Sequence, residues 1–288
     1  MAGKRASVDD DDRAEAARDG QNDAVFTITS ADDPDVATVA SWISEARRIT
    51  VLTGAGISTD SGIPDFRGPN GLWTKNPAAE KAATIEHYLG DPEVRRVAWQ
   101  NRVRNLGRER PRPNSGHHAL LDLETSGKLR AIITQNVDGL HLDAGHPRER
   151  VIEVHGSWRD TLCWDCGDRR SMGESIQRVV DGDIDPSCLL CGGILKSSTI
   201  LFGEPLVPEV IGAAMAAAED CDLFLAVGST LSVGPVNNTV PRARQAGARV
   251  VILNGESTAM DRFADALVIG SIGEMLPALL GGESRPTR

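Results

Sequence analysis

Four paired cysteines, one histidine and a set of glycine-rich turns are the residues of this 288-residue sequence whose types and spacing point to chemistry. Cys163-x-x-Cys166 and Cys188-x-x-Cys191 flank 21 residues, close to the spacing of four-cysteine zinc ribbons. Gly167, Gly192 and Gly193 follow the pairs and permit tight metal-binding turns. Four thiolates fill a tetrahedral shell and leave no position for water, so the expected zinc ion is structural. Disulfide or redox pairing is the competing reading, and a reducing compartment disfavours it. The fifth cysteine, Cys221, stands alone before an apolar run.

Thr53-Gly54-Ala55-Gly56-Ile57-Ser58 follows a β-rich apolar run. Glycines at a strand-to-helix turn let backbone N–H groups approach a phosphate, aided by the helix dipole. The usual dinucleotide fingerprint has a further glycine three residues after Gly56, and Thr59 stands there, so a simple tight turn explains the pattern equally. In the next loop Ile63, Asp65, Phe66 and Arg67 lie between Gly62 and Pro69. Gly and Pro shape such a loop, Arg suits a phosphate and Phe can shield a reactive centre; a surface loop with an incidental charge pair is the alternative. Gln135, Asn136 and Asp138 end another apolar run and suit ribose hydroxyls and a carboxamide; turn chemistry accounts for Gly139 and Asp138, but not for Gln135 with Asn136. His155, followed by Gly156, ends a third run and is placed to act as a general base near neutral pH. The other five histidines read as structural. Gly228 and Ser229, then Asn254, follow two later runs and offer small or polar contacts to a cofactor.

The elements that must position these residues alternate. Strand-like runs begin at Ile49, Ala131, Val151, Leu223, Val250 and Ala266, nearly continuous in apolar character, as strands buried on both faces require. Helical patterns lie at 35–47, 115–125, 208–219, 236–246 and 273–280. This alternation predicts an α/β fold, a Rossmann-like doubly wound parallel sheet whose ligand site lies at the carboxyl ends of its strands. Two stretches interrupt it: a small helical insertion over 69–114 and the four-cysteine zinc-ribbon module over 159–197. The sheet domain is expected over 31–158 and 198–281, with flexible tails at 1–30 and 282–288. Residues 1–35 carry ten acidic and four basic side chains, −6 of the net −10, and the stretch to about Asn22 reads as disordered. The remaining −4 argues against a nucleic-acid partner held by phosphate neutralisation. The sequence has no apolar run of membrane-spanning length and no secretory signal, so a cytoplasmic location is expected.

Together these pieces resemble the sirtuin family, bacterial type. GAGISTDSGIPDFRG, TQNVDGLH, the HGS of His155, the paired Cys-x-x-Cys, ILFGE, GSTLSVGP and VVILNGE occur in family order over roughly residues 35 to 280. The resemblance implies an NAD-dependent protein-lysine deacylase with an acyl-lysine peptide as partner. It places Gly54, Ala55, Gly56 and Arg67, with Asp65 and Phe66 in the same loop, where sirtuins bind the pyrophosphate and shield the ribose. It places Ile63 and Asp138 at the nicotinamide carboxamide, Gln135 and Asn136 at the nearby ribose, and Gly228, Ser229 and Asn254 on the adenosine side. Leu201 to Glu204 would lie beside the peptide. The implied reaction has the acyl oxygen attack the ribose carbon as nicotinamide leaves, with His155 and Asn136 as the catalytic pair and NAD consumed as co-substrate. The sequence reads GSTL where many relatives read GTSL, which puts the roles of the Ser229 and Thr230 hydroxyls in question. Relatives that prefer acidic acyl groups carry Tyr-x-x-Arg, whereas here Tyr88 is followed by Asp91 and the local candidate is Trp99-x-x-Arg102, so demalonylation and desuccinylation find no support. Mono-ADP-ribosyl transfer from the same site is the main alternative. A dehydrogenase lacks its third glycine here, and a non-catalytic NAD sensor would not need His155 and Asn136.

Overall fold

The computed structural model describes residues 25–65, 83–106 and 109–281. Seven parallel strands build one sheet: β1 (Phe26–Ile28), β2 (Ile49–Thr53), β3 (Leu129–Thr134), β4 (Val151–Glu153), β8 (Leu223–Val227), β9 (Arg249–Asn254) and β10 (Ala266–Ile269). Between them in sequence, β5 (Asp160–Cys163), β6 (Arg169–Ser171) and β7 (Leu195–Ser197) form a second, antiparallel sheet. The described helices are α1 (Asp35–Glu45), α2 (Ile85–Gly90), α3 (Pro92–Arg104), α4 (Ser115–Thr125), α5 (Leu140–Ala144), α6 (Met172–Val180), α7 (Pro208–Glu219), α8 (Thr239–Gln245) and α9 (Ile272–Leu279).

Continuous apolar strands are explained by cover on both faces. In β8, Leu223, Leu225 and Val227 face one core while Phe224 and Ala226 face the other. Val39 and Ile43 of α1, Leu120 of α4 and Leu276 of α9 close the first; Ala214, Ala217 and Ala218 of α7 with Val240 of α8 close the second. Each fully buried Leu, Ile or Phe in these layers contributes about 1.5–3 kcal/mol. The sheet runs β1-β10-β9-β8-β2-β3-β4. From β2 the chain steps outward through β3 to β4, then returns to β8 and steps outward the other way, so the order reverses between β2 and β8. That pair is the topological switch point, where open α/β sheets bind ligands.

β3 begins at Leu129, β9 at Arg249, α8 at Thr239 and α9 at Ile272, each one to three residues from the sequence expectation; two further differences have a visible cause. Phe26–Ile28 do not belong to a tail spanning 1–30: they pair in parallel with β10, and Ile28 is fully buried. Phe26-Thr27-Ile28 is too brief and too mixed to stand out next to the acidic N-terminal stretch, and the tertiary pairing reveals it. Helix α1 stops at Glu45 rather than running to Arg47. The Asp222 carboxylate captures the N–H groups of Arg47 and Arg48 at 2.9–3.2 Å and draws them out of the helix.

The helical insertion and the cysteine-bearing segment share one core. Trp99 of α3 is fully buried against Cys163, Met172, Cys188 and Leu195. Arg95 of α3 grips Asp185 with Nε at 3.0 Å and NH2 at 3.0 Å, and the Tyr88 hydroxyl donates to the Leu195 carbonyl at 2.8 Å. The four paired sulfurs all lie within 4.8 Å of one another, with Cys163 to Cys191 at 3.5 Å and Cys166 to Cys188 at 3.7 Å. A tetrahedral shell with Zn–S bonds of about 2.3 Å separates its sulfurs by about 3.8 Å, so the four thiols fit a zinc ion.

Behind the carboxyl ends of β2 and β3, His117, His141 and His146 cluster in the interior. The first two rings have centroids 5.0 Å apart, and His146 stands edge-on to His141 at 5.9 Å. Burial, helped by the neighbouring imidazoles, pushes His117 down to about 3 and His141 well below the ordinary histidine value; burial also lowers His146. His117 Nε2 and His141 Nδ1 are buried with no hydrogen-bond partner among the described residues.

Replacing Cys163 with Ser is expected to release zinc and destabilise the small module by about 3 kcal/mol or more, lowering the melting temperature by roughly 6–12 °C. Stoichiometric zinc with unchanged melting would contradict the four-thiolate shell. The histidine cluster predicts acid sensitivity. The unfolded chain takes up protons near pH 6.5 while the folded cluster stays neutral, so its stability is intact above that pH and lost as pH falls. Melting temperature should drop between pH 6.5 and 5, and the drop should shrink in His146→Leu; an unchanged slope in that variant would assign the loss elsewhere.

Candidate active site

The loops after β2, β3, β4, β8, β9 and β10, together with residues 199–206 after β7, enclose a cavity of about 1060 Å³. Ala55, Gly56, Ile63, Asp65, Gln135, Asn136, Asp138, His155, Gly228, Ser229 and Asn254 line it. Gly54 sits just beneath, its N–H bonded to the Val227 carbonyl at 3.0 Å. Phe66 and Arg67 lie outside the described residues.

The glycines of the β2 and β8 turns meet each other. Gly56 N–H donates to the Gly228 carbonyl at 2.8 Å. A Cβ on Gly54 would sit 2.6 Å from that same oxygen, and one on Gly56 would sit 2.7 Å from Gly228 Cα. Gly228, at φ +66°, would drive a Cβ to 2.5 Å from the Ile57 nitrogen. Loop-against-loop packing alone already excludes side chains at these three glycines.

Gln135 ties three strand ends together. Its N–H donates to Thr53 O at 2.9 Å, its Oε1 accepts from the Ser229 hydroxyl at 2.6 Å, and its carbonyl accepts from His155 Nδ1 at 2.9 Å. A carbonyl only accepts, so Nδ1 carries the proton and Nε2 is left as the basic nitrogen. Burial lowers the His155 pKa below its ordinary value, partly offset by the bond to Gln135, and the ring is neutral at pH 7.

Asn136 and Asp138 are held from β2's side by a residue the sequence reading did not single out. The Ser58 hydroxyl donates to Asp138 Oδ2 at 2.8 Å and accepts from Asn136 Nδ2 at 3.1 Å; that nitrogen also donates to Gly54 O at 3.1 Å. Asp138 Oδ1 takes the Leu140 N–H at 2.9 Å. Burial raises the Asp138 pKa, and the bonds from Leu140 and Ser58 oppose the rise. Ser58 is fully buried within the 3₁₀ helix Ala55–Ser61. A hydroxyl four residues beyond Gly54, inside the motif, was the available signal. In the GSTL stretch, Ser229 faces inward onto Gln135 and Leu231 N, while Thr230 bonds to Ser232. Asn254 is buried, its Nδ2 donating to Glu256 O at 2.9 Å.

The charged groups among the described lining residues are Asp60, Asp65, Asp138, Glu204 and Glu256, with no lysine or arginine. Small-molecule clefts typically span about 300–1,000 Å³, so this one has room for a dinucleotide beside an apolar side chain.

A model of the Sir2 family matches residues 54–235. The chain is 48% identical over 234 residues to an NAD-dependent protein deacetylase 2 of Streptomyces coelicolor, covering 81% of this chain and 97% of that protein. A solved structure described as the "Structural Basis for the Mechanism and Regulation of Sir2 Enzymes" superposes with a TM-score of 0.75 at 36% identity, over 86% of this chain and 96% of the other. A second, Sir2Af2 bound to a myristoylated histone peptide, gives a TM-score of 0.68 at 33% identity, over 86% and 95%. With its strand-end cavity, its four-thiol cluster and these matches, the chain belongs to the Sir2 family.

Proposed function

We propose that this protein removes acyl groups, acetyl or longer, from lysine side chains of proteins, consuming NAD and giving nicotinamide, free lysine and O-acyl-ADP-ribose. The observation that carries the reading is the imidazole of His155, fixed in one tautomer by Gln135 where the loops of six strands converge. The relatives support it: one is named a deacetylase, and another was solved with a myristoylated peptide.

When bound, NAD supplies an electrophilic ribose carbon and a nicotinamide leaving group. The chain's share is to orient, to exclude water and to take one proton. Gly54, Ala55, Gly56, Gly228, Ser229 and Asn254 would hold the pyrophosphate and adenosine side, and the family resemblance adds Asp65, Phe66 and Arg67 to the cofactor contacts. Ile63 and Asp138 would receive the carboxamide, and Gln135 and Asn136 the adjacent ribose. His155 Nε2 takes the proton from a ribose hydroxyl, while Nδ1 keeps its own proton on Gln135.

The acyl group is a neutral one. A carboxylate-bearing acyl chain would meet the acidic lining, and neither Tyr88 nor Arg102 lines the cavity: the Tyr88 hydroxyl is engaged with Leu195 O and Arg102 NH1 with Ala98 O. The same carboxylates favour basic residues around the target lysine. A reducing cytoplasm suits four thiols that bind metal, and no described helix is long and apolar enough to cross a membrane.

His155→Ala is expected to lower turnover by about 10²–10⁴-fold while ADP-ribose still binds, with O-acyl-ADP-ribose followed by mass spectrometry on acetyl-, myristoyl- and succinyl-lysine peptides. Full residual activity would remove His155 as the base, label from NAD on protein alone would favour ADP-ribosyl transfer, and preference for the succinyl peptide would contradict the acidic lining. The acidic limb of kcat/KM should fall below pH 6.5, because the base must be neutral and burial depresses its pKa. An inflection above pH 6.5 would contradict that assignment.

A further inference from the structure

Lys196 in β7 is 1% exposed, the most deeply buried charged side chain among the described residues. Its ammonium donates to Ser197 O at 2.9 Å and Thr199 O at 2.8 Å, and pairs with Glu204 Oε2 at 3.1 Å. Three protons meet three acceptors. Burial lowers the lysine pKa and the Glu204 carboxylate opposes the shift. Glu204 Oε2 also accepts the Leu201 N–H at 3.0 Å, while Glu204 N–H donates to Leu201 O at 3.0 Å. These bonds close a four-residue turn, Leu201 to Glu204, whose third residue Gly203 has φ +81°, as a type II turn requires.

The turn is one wall of the active-site cavity. It approaches from the small module, whereas the glycine loops approach from the sheet. Ile200, Leu201, Phe202, Pro205 and Leu206 give this wall an apolar lining, suited to a lysine stem and acyl chain and unsuited to phosphates. It joins the rest of the site through the Ile200 N–H, which donates to His155 O at 2.8 Å, and through backbone bonds between Phe202 and Ala83 and Ile85. A buried ion pair adds little net stability against an apolar replacement, and its better-attested role is to select one geometry. Here all three donors of one ammonium serve the same eight-residue segment.

We propose that Lys196 is a positioning residue for the acyl-peptide: through Glu204, Ser197 O and Thr199 O it fixes the 199–204 wall in the one conformation that receives the substrate. This rests on the deacylase reading above, and it separates peptide recognition from dinucleotide recognition within one cavity.

The test compares Lys196→Met, Lys196→Arg and the double variant Lys196→Met with Glu204→Gln, which removes the orphaned carboxylate that would otherwise destabilise the single variant. Affinity for an acetyl-lysine peptide is measured by calorimetry with ADP-ribose present, ADP-ribose affinity alone, melting temperature, and kcat and KM for the peptide. Lys196→Met and the double variant should weaken peptide binding about tenfold, leave ADP-ribose within about twofold, and lower kcat less than they raise KM, with Lys196→Arg restoring most of the loss. Wild-type peptide affinity in a folded Lys196→Met or double variant would overturn the proposal. So would a parallel loss of peptide and ADP-ribose affinity that tracks melting temperature, since a merely structural lysine behaves that way. A wild-type protein that binds peptide but yields no deacylated product would instead overturn the deacylase reading and leave the binding comparison standing.

Discussion

Two neighbouring strands carry the chain away from the centre of the sheet in opposite directions, and the loops that leave them must pass over the same edge without touching side chains. Gly54 and Gly56 after β2 and Gly228 after β8 satisfy that constraint, each within a distance that no Cβ tolerates. Everything else at the site inherits its position from this contact. Once the two loops interlock, Ser58 is carried inward beneath the β3 turn, and Ser229 is brought onto Gln135. The crevice is thus a consequence of strand order, and its polar groups are satisfied by the loops that strand order brings together.

Gln135 converts that crevice into a base. A lone histidine at a strand end has two tautomers and a freely rotating ring, and a buried one without partners is costly. Gln135 removes both freedoms by presenting a carbonyl whose own direction is set by bonds to Thr53 and Ser229. The neutral imidazole is further favoured by burial, so protonation state, tautomer and orientation come from one residue and its surroundings. On the other side, Gly156 at φ +71° lies so close to the Ser198 carbonyl that any side chain there would collide with it, which locks the histidine turn against the small module.

Legibility followed the range of the physics involved. Six of the seven strands of the main sheet were plain because burial against the helical layers writes itself as apolar runs. Helices α4 and α7 were bounded correctly because local signals mark them: Asn114 capping the first, proline opening the second. The end of α1 was not, since a carboxylate 175 residues away in sequence sets it. Strand β1 and the strands of the small sheet lie outside any apolar run that stands out in the sequence: Phe26-Thr27-Ile28, Asp160 to Cys163, Arg169-Arg170-Ser171 and Leu195-Lys196-Ser197 all mix polar with apolar residues. Among site residues, motifs exposed Gln135, Asn136, Asp138 and His155, whereas Ser58 hid inside a motif whose glycines drew the reading, and Lys196 is buried only because the two insertions fold onto one another. A single lysine between Ile194-Leu195 and the apolar Ile200-Leu201-Phe202 was its one trace in the sequence.

That joint fold also explains how a metal remote from the chemistry can matter to it. Cys163 ends β5, and β5 pairs in register with β7: Cys163 opposite Leu195, Leu162 opposite Lys196, Thr161 opposite Ser197. A zinc ion held by the four thiolates would therefore fix the strand that delivers Lys196 three residues before the cavity wall begins at Thr199. Trp99 and Tyr88 brace the same strand from the helical insertion, one through the shared core and one through the Leu195 carbonyl. The energy of metal binding is folding energy, and in this arrangement it is spent on the register of three residues. With closed coordination the ion would have no chemistry to offer the substrate, and its contribution would be to hold the strand that leads into the wall bonded to His155 through the Ile200 N–H.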